Sequence, residues 1–295
     1  MSNAHTYRYR IVDVFTDQPL EGNALAVFPD ASGIDDETMQ KIAKELNLSE
    51  TSFVVPATRA DCAVGVRIFT PEKEMAFAGH PTIGTSFVLL DEGIIPANSE
   101  YFVLEEKVGP IPIRVDTGSS PLIWLRTPPI SEGRTFDRRA CAQALGIDSS
   151  DLLNIDPQLM GAGNPTVFIA LKDRYAVDRA WLDSHGSSFL KEGYQEPMCV
   201  FVFAPTPYGA YSRMFAPEYG ISEDPATGSS TGPLAAFMIR HGLVGGVAGT
   251  RFFSEQGTKM GRRSILHVHI LGDRGQDGID VGGNVVPVAE AIMKL

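Results

Sequence analysis

Read for hydrophobic and polar positions alone, the chain divides into short apolar runs separated by turn residues, with two helical stretches that have almost no polar face. Residues 8–14 and 24–28 alternate or run apolar as strands do, and 51–55, 64–69, 101–104, 111–115 and 122–126 extend a sheet. Residues 35–46 follow another rhythm. Acidic side chains open the segment, and Met39, Ile42, Ala43 and Leu46 fall on one face of a helix. Asn47-Leu48-Ser49-Glu50 leads out of that helix into the 51–55 strand. In the second half, 167–171, 199–204 and 266–271 read as strands, and 137–145, closed by Gly146, as a surface helix.

The two exceptional stretches begin at Ile83, after Ala78-Gly79-His80-Pro81-Thr82, and at Thr231, after Ala226-Thr227-Gly228-Ser229-Ser230. A helix that is apolar all round must be enclosed in lipid or in protein, and these are too short for lipid. Their contexts match. Arg67-Ile68-Phe69-Thr70-Pro71-Glu72 precedes the first and Arg213-Met214-Phe215-Ala216-Pro217-Glu218 the second, both reading R-x-F-x-P-E. Further upstream, Gly22-Asn23 leads into Ala26-Val27-Phe28, and Gly163-Asn164 into Thr166-Val167-Phe168. Three matched features in one order point to a duplication. The expected architecture is therefore α+β: two pseudo-symmetric halves, each a strongly curved mixed β-sheet wrapped around a central apolar helix.

Composition adds limits. With 43% hydrophobic and 21% charged residues over 295 positions, the chain is an ordinary globular one, long enough for a substantial core. A net charge of −11 argues against nucleic acid or an anionic membrane as partner. No charged-then-apolar leader opens the chain, so a cytoplasmic location is expected. Cys62, Cys141 and Cys199 are odd in number and widely spaced, which suggests neither a disulfide framework nor a zinc site. Core packing is the plain reading of Cys141 and Cys199.

Two enclosed helices whose N-termini open on glycine-rich loops make two anion sites, because unpaired N–H groups and the positive end of the dipole point outward there. If a pseudo-twofold relates the halves, the two mouths face one another across an interdomain cleft that fits a small carboxylate-bearing molecule. Glu50, His80 and Asp224 are the candidate proton carriers beside those mouths. Each also has a plainer reading. Glu50 could solvate a helix-to-strand corner, His80 could serve as a hydrogen-bonding residue of the helix end, and Asp224-Pro225 could start a turn. The residues alone leave this open. Two other patterns carry less. His267-Val268-His269 places two imidazoles on one strand face without a third metal ligand nearby, and Gly161-Ala162-Gly163-Asn164-Pro165 runs into a strand rather than a nucleotide-binding helix.

The stretches NLSETSFVV, RIFTPEKEMAFAGHPTIGTS and SRMFAPEYGISEDPATGSSTGPLA, with PLEGNALAVFPDA near the start and QGTKMGR near the end, resemble the signature of the PhzF-like family of phenazine biosynthesis. That resemblance implies a diaminopimelate-epimerase-like fold and divides the chain at 1–125 and 126–295, with the strand at about 281–295 allowed to return to the first half. It also implies a homodimer and no cofactor. By motif position, Glu50 is the proton-shuttling residue, with His80 and Asp224 beside it; Ser49, Gly79, Gly228 and Ser229 line the site. The wider superfamily's two-thiol epimerases carry a cysteine at each mouth, where this chain has Ala78 and Pro225. Arg263 stands where the family usually has proline.

The expected function is a cofactor-independent isomerase that moves a proton within a small cyclic or unsaturated carboxylate, with Glu50 as the single base. The alternatives are a non-catalytic binding or regulatory protein on the same fold and, with less support, an epimerase. No metal is expected.

Overall fold

A computed structural model describes residues 5–116, 121–191, 194–276 and 278–295. Its elements run β1 (Thr6–Val14), β2 (Asn23–Phe28), α1 (Asp36–Leu46), β3 (Glu50–Val55), β4 (Val64–Phe69), β5 (Glu74–Met75), α2 (Gly79–Asp91), β6 (Tyr101–Glu106), β7 (Gly109–Asp116) and β8 (Leu122–Arg126). They continue β9 (Ser131–Thr135), α3 (Arg138–Ala144), β10 (Gln158–Gly161), β11 (Thr166–Ala170), α4 (Arg174–Arg179), α5 (Ser184–Leu190), β12 (Cys199–Thr206), β13 (Gly209–Ala216) and β14 (Ile221–Asp224). The last are α6 (Gly228–Arg240), β15 (Arg251–Gln256), β16 (Ser264–Leu271), β17 (Gly278–Gly283) and β18 (Val285–Lys294). This is a sheet-rich α+β protein with few helices, none of which, among the described residues, is long and apolar enough to cross a membrane. The chain divides into two units, Met1–Arg126 with Gly282–Leu295, and Thr127–Val281.

In the first unit the strands pair in the order β18, β1, β2, β3, β4, β6, β7, β8, with β5 added to β4. The β2–β3 and β4–β6 pairs are parallel and the rest antiparallel. The chain's last strand is thus a neighbour of its first, from Thr6 opposite Lys294 to Val14 opposite Val285. Helix α2 packs against β1, β2, β3, β8 and β18, so strands from both ends of the pairing order meet one helix. Gly84 makes that closeness possible: a Cβ there would lie 2.6 Å from Leu25 Cδ2 and 2.8 Å from Val14 Cγ2. On the other face of the sheet α1 covers β3 and β4. Its start is fixed by Asp35, whose carboxylate accepts the Thr38 N–H at 2.8 Å, and its end by left-handed Asn47. Met39, Ile42 and Ala43 are buried there against Phe28, Phe53 and Phe69. Leu46, expected on the same face, is only partly buried.

In the second unit the order is β9, β10, β11, β12, β13, β15, β16, with β14 on β13. Strands buried on both faces read as continuous apolar runs, and β11 and β12 show why. Phe168, Ala170, Phe201 and Phe203 pack with Phe237 of α6, while Val167, Ile169, Val200 and Val202 pack with the residues of α3, α4 and α5. Gly232 lets α6 approach the chain entering this unit, since a Cβ there would lie 2.3 Å from Thr127 Oγ1. Cys141 and Cys199 are both in these cores.

Both enclosed helices start earlier than their apolar runs. Gly79 and Gly228 are the first helical residues, so His80 and Ser229 sit inside the first turn rather than in a loop ahead of it. Pro81 suits such a first turn because its missing N–H would lack an intrahelical acceptor there in any case.

Candidate active site

Glu50 opens β3, where it lies opposite Leu25 of the parallel β2, and Asn23 opens β2. Parallel pairing therefore brings the two strand starts beside the first turn of α2. Glu50 Oε2 lies 3.5 Å from His80 Nδ1, and their side chains are 13% and 4% exposed. The Asn23 amide nitrogen lies 3.3 Å from the same ring nitrogen. Nδ1 thus has both an amide and a carboxylate oxygen close to it, and which of them it bonds depends on the tautomer of the ring. Burial holds the His80 imidazole neutral and pushes its pKa down to about 3, with a smaller opposing contribution from the Ala24 main chain. The contact with Glu50 is accordingly a close polar approach rather than an ion pair. His80 Nε2 is buried and has no hydrogen-bond partner in this structure.

His80 does not cap the helix. The N-cap is extended Ala78, which has no side-chain cap bond. Gly79 and His80 precede the first intrahelical donor, Thr82, whose N–H reaches the Ala78 carbonyl at 3.2 Å. Gly79 is buried with the rest of the turn, and Ser49, just ahead of β3, is half-buried.

In the second unit Asp224 ends β14 and is 5% exposed. The Thr227 hydroxyl donates to its Oδ2 at 2.5 Å. Gln256, fully buried at the end of β15, ties the turn together. Its amide nitrogen donates to the Asp224 carbonyl at 2.7 Å and to Thr227 Oγ1 at 3.0 Å, and its oxygen accepts the Thr227 N–H at 3.1 Å. Gly257, at φ +74°, permits this: a Cβ there would lie 2.6 Å from the Pro225 carbonyl oxygen. Gly228 and Ser229 open α6, and the Ser229 hydroxyl accepts from the Asn164 amide at 3.2 Å. Both units thus set an asparagine that follows glycine against the first-turn side chain of their enclosed helix.

Asn23, Asn164 and Gln256 were visible in the sequence only as parts of repeated or matching stretches. Nothing in their spacing marked them as braces, because each works through a contact made by a distant strand. His267 and His269 do share one face of β16, where His267 meets Phe253 edge-on at 6.4 Å, and no metal-binding cluster occurs among the described residues. Arg263 pairs with Glu255 at 3.2 Å.

The fold is one that isomerases use. A hydroxyproline epimerase from Agrobacterium vitis superposes with a TM-score of 0.69 at 13% identity, covering 98% of this chain and 93% of that one. A PhzF-family phenazine biosynthesis protein from Bacillus anthracis superposes with a TM-score of 0.87 at 26% identity, over 99% and 100%. The trans-2,3-dihydro-3-hydroxyanthranilate isomerase of Pseudomonas chlororaphis is 34% identical, over 95% of this chain and 96% of its own. The model of the phenazine biosynthesis-like protein family matches residues 12–291. The chain belongs to that family and is an isomerase.

Proposed function

We propose that the protein moves a proton within a small cyclic or unsaturated carboxylate by single-base catalysis, without a cofactor. Glu50 takes the proton from one carbon and returns it to another on the same face. The imidazole of His80 and the carboxylate of Asp224 hold an amino or hydroxyl group of the same substrate. The first-turn N–H groups at Gly79 and Gly228, with Ser49 and Ser229, receive its carboxylate and the charge that spreads into it.

The observation that carries this reading is the pair at the α2 mouth. A carboxylate oxygen lies 3.5 Å from an imidazole that burial keeps neutral, and that imidazole's other nitrogen has no protein partner. A buried polar group without a protein partner calls for an explanation, and a bound substrate group supplies one here. Ala78 and Pro225 stand where two-thiol epimerases carry cysteine, which favours one base over two.

The test uses trans-2,3-dihydro-3-hydroxyanthranilate, the compound in the names of the Pseudomonas relatives, in D2O with proton NMR. Wild-type protein is expected to isomerise it with deuterium entering at the receiving carbon. Glu50→Gln is expected to lower the rate by roughly 10²–10⁴-fold. A Glu50→Gln protein with full turnover overturns the assignment, and binding without exchange in the wild type favours a non-catalytic role.

A further inference from the structure

A second carboxyl group stands behind the α2 mouth. Glu106, the last residue of β6, is 4% exposed, and its Oε1 lies 2.5 Å from Thr82 Oγ1. The same Thr82 oxygen lies 2.8 Å from the Ala78 carbonyl, the N-cap carbonyl of α2. A hydroxyl has one hydrogen and cannot donate to both. If it donated to a Glu106 carboxylate, two acceptor oxygens would face each other at 2.8 Å with no proton between them. If Glu106 carries the proton, every contact is satisfied: the acid donates to Thr82, and Thr82 donates to Ala78.

We propose that Glu106 is a buried carboxylic acid that positions the mouth of α2, its proton directing the Thr82 hydroxyl onto the Ala78 carbonyl and so fixing the Ala78–Gly79 peptide whose N–H receives the substrate's anionic group. Glu106 touches no substrate and is a positioning residue. The inference rests on the reading that an anion is received at this mouth, which the open, buried His80 Nε2 supports independently. Burial agrees with the geometry. It pushes the Glu106 pKa up to about 8, against a smaller lowering from Thr82. The ionic groups on neighbouring elements are engaged elsewhere: Glu105 accepts the Thr58 N–H, Lys107 and Arg67 pair with Glu74, and His80 is neutral. Glu106 Oε2 has no hydrogen-bond partner in this structure, so no second donor holds the group ionised. When Glu106 loses its proton, Thr82 turns to it, the Ala78 carbonyl loses one of its two donors, and a negative charge appears behind the anion site.

Two readings test this. In infrared difference spectra of wild type against Glu106→Gln at neutral pH, a carboxylic-acid carbonyl band lost in the variant is expected; carboxylate bands alone overturn the proposal. In calorimetric titrations with anthranilate, wild-type affinity is expected to fall as pH rises through about 8. Glu106→Gln, neutral and still a donor, is expected to bind as tightly as the wild type at neutral pH without that fall. Glu106→Leu is expected to bind roughly two- to tenfold more weakly across the range. An alkaline loss that persists unchanged in Glu106→Gln overturns the proposal. If the wild type binds neither anthranilate nor the dihydro substrate above, the functional reading fails, and the infrared result still decides where the proton sits.

Discussion

Replacing Glu106 by Gln separates two buried groups whose protonation links folding to pH in opposite senses. Glu106 has its pKa raised from the usual 4.5 to about 8 in the folded protein. Its contribution to stability is therefore fully present below 4.5 and is lost as pH rises through 8, because folding must take up a proton across that window. Each pH unit weakens the fold by about 1.4 kcal/mol, or about 5 kcal/mol over the window. His80 is the reverse case. Its folded pKa is about 3 against the usual 6.5, so its contribution is present above 6.5 and is lost as pH falls towards 3. Between 4.5 and 6.5 the two slopes oppose each other, and above 6.5 only the Glu106 slope remains. Urea unfolding followed by the fluorescence of Trp124, 1% exposed in the same unit, is the assay. The wild type is expected to lose stability steadily from pH 6.5 to 8, and Glu106→Gln is expected to be flat there and about 3 kcal/mol more stable than the wild type near neutrality. Parallel curves for the two proteins above pH 6.5 would refute the protonated acid.

Gln256→Leu leaves the Thr227 N–H and the Asp224 carbonyl without their buried partner and is expected to destabilise the protein by roughly 2–5 kcal/mol, measured by urea unfolding. At temperatures where the variant is folded, kcat is expected to fall as well, since Asp224 loses its brace. Phe237→Ala empties a fully buried position between Phe168 and Phe203 and is expected to cost roughly 3–5 kcal/mol in the same measurement. Iodoacetamide is expected to modify half-buried Cys62 before the buried Cys141 and Cys199, with turnover retained; inactivation that tracks thiol loss would favour thiol chemistry.

What could be read from the sequence was whatever periodicity and local chemistry encode. The strands at 122–126 and 64–69 fall where the pattern puts them, and α1 starts at an acidic cap that the sequence displays openly. The enclosed helices were legible as well, because α2 and α6 lack a polar face. Strand β9 was not, since Ser131-Glu132-Gly133-Arg134-Thr135 is exposed throughout and carries no hydrophobic signal. Helices α4 and α5, of six and seven residues, are too short to establish a period. Of the candidate site, Glu50, His80 and Asp224 could be named from motif position. Their protonation and bracing could not, because these depend on burial and on partners from distant strands. Glu106 looks in sequence like any acidic residue in a polar hairpin, Glu105-Glu106-Lys107. Only the structure shows that its neighbour Glu105 faces solvent while it faces Thr82.

The same enclosure accounts for both perturbed groups. A helix wrapped by sheet keeps water from its sides, and an ionised side chain placed near its first turn would have to be compensated there. Burial shifts His80 down and Glu106 up, so both are neutral at ordinary pH, and neither brings a fixed charge to the α2 mouth. The N–H groups and dipole of a 13-residue helix then act at close range on whatever anion enters, with Glu50, beside His80, as the carboxylate already at that mouth. A residue that put a permanent charge at position 80 or 106 would change this more than its size suggests. His80→Lys is expected to hold anthranilate through a simple ion pair and still lose turnover, because the neutral imidazole proposed to orient the substrate towards Glu50 is gone. Tighter binding together with undiminished kcat in that variant would show that the neutrality of position 80 is incidental.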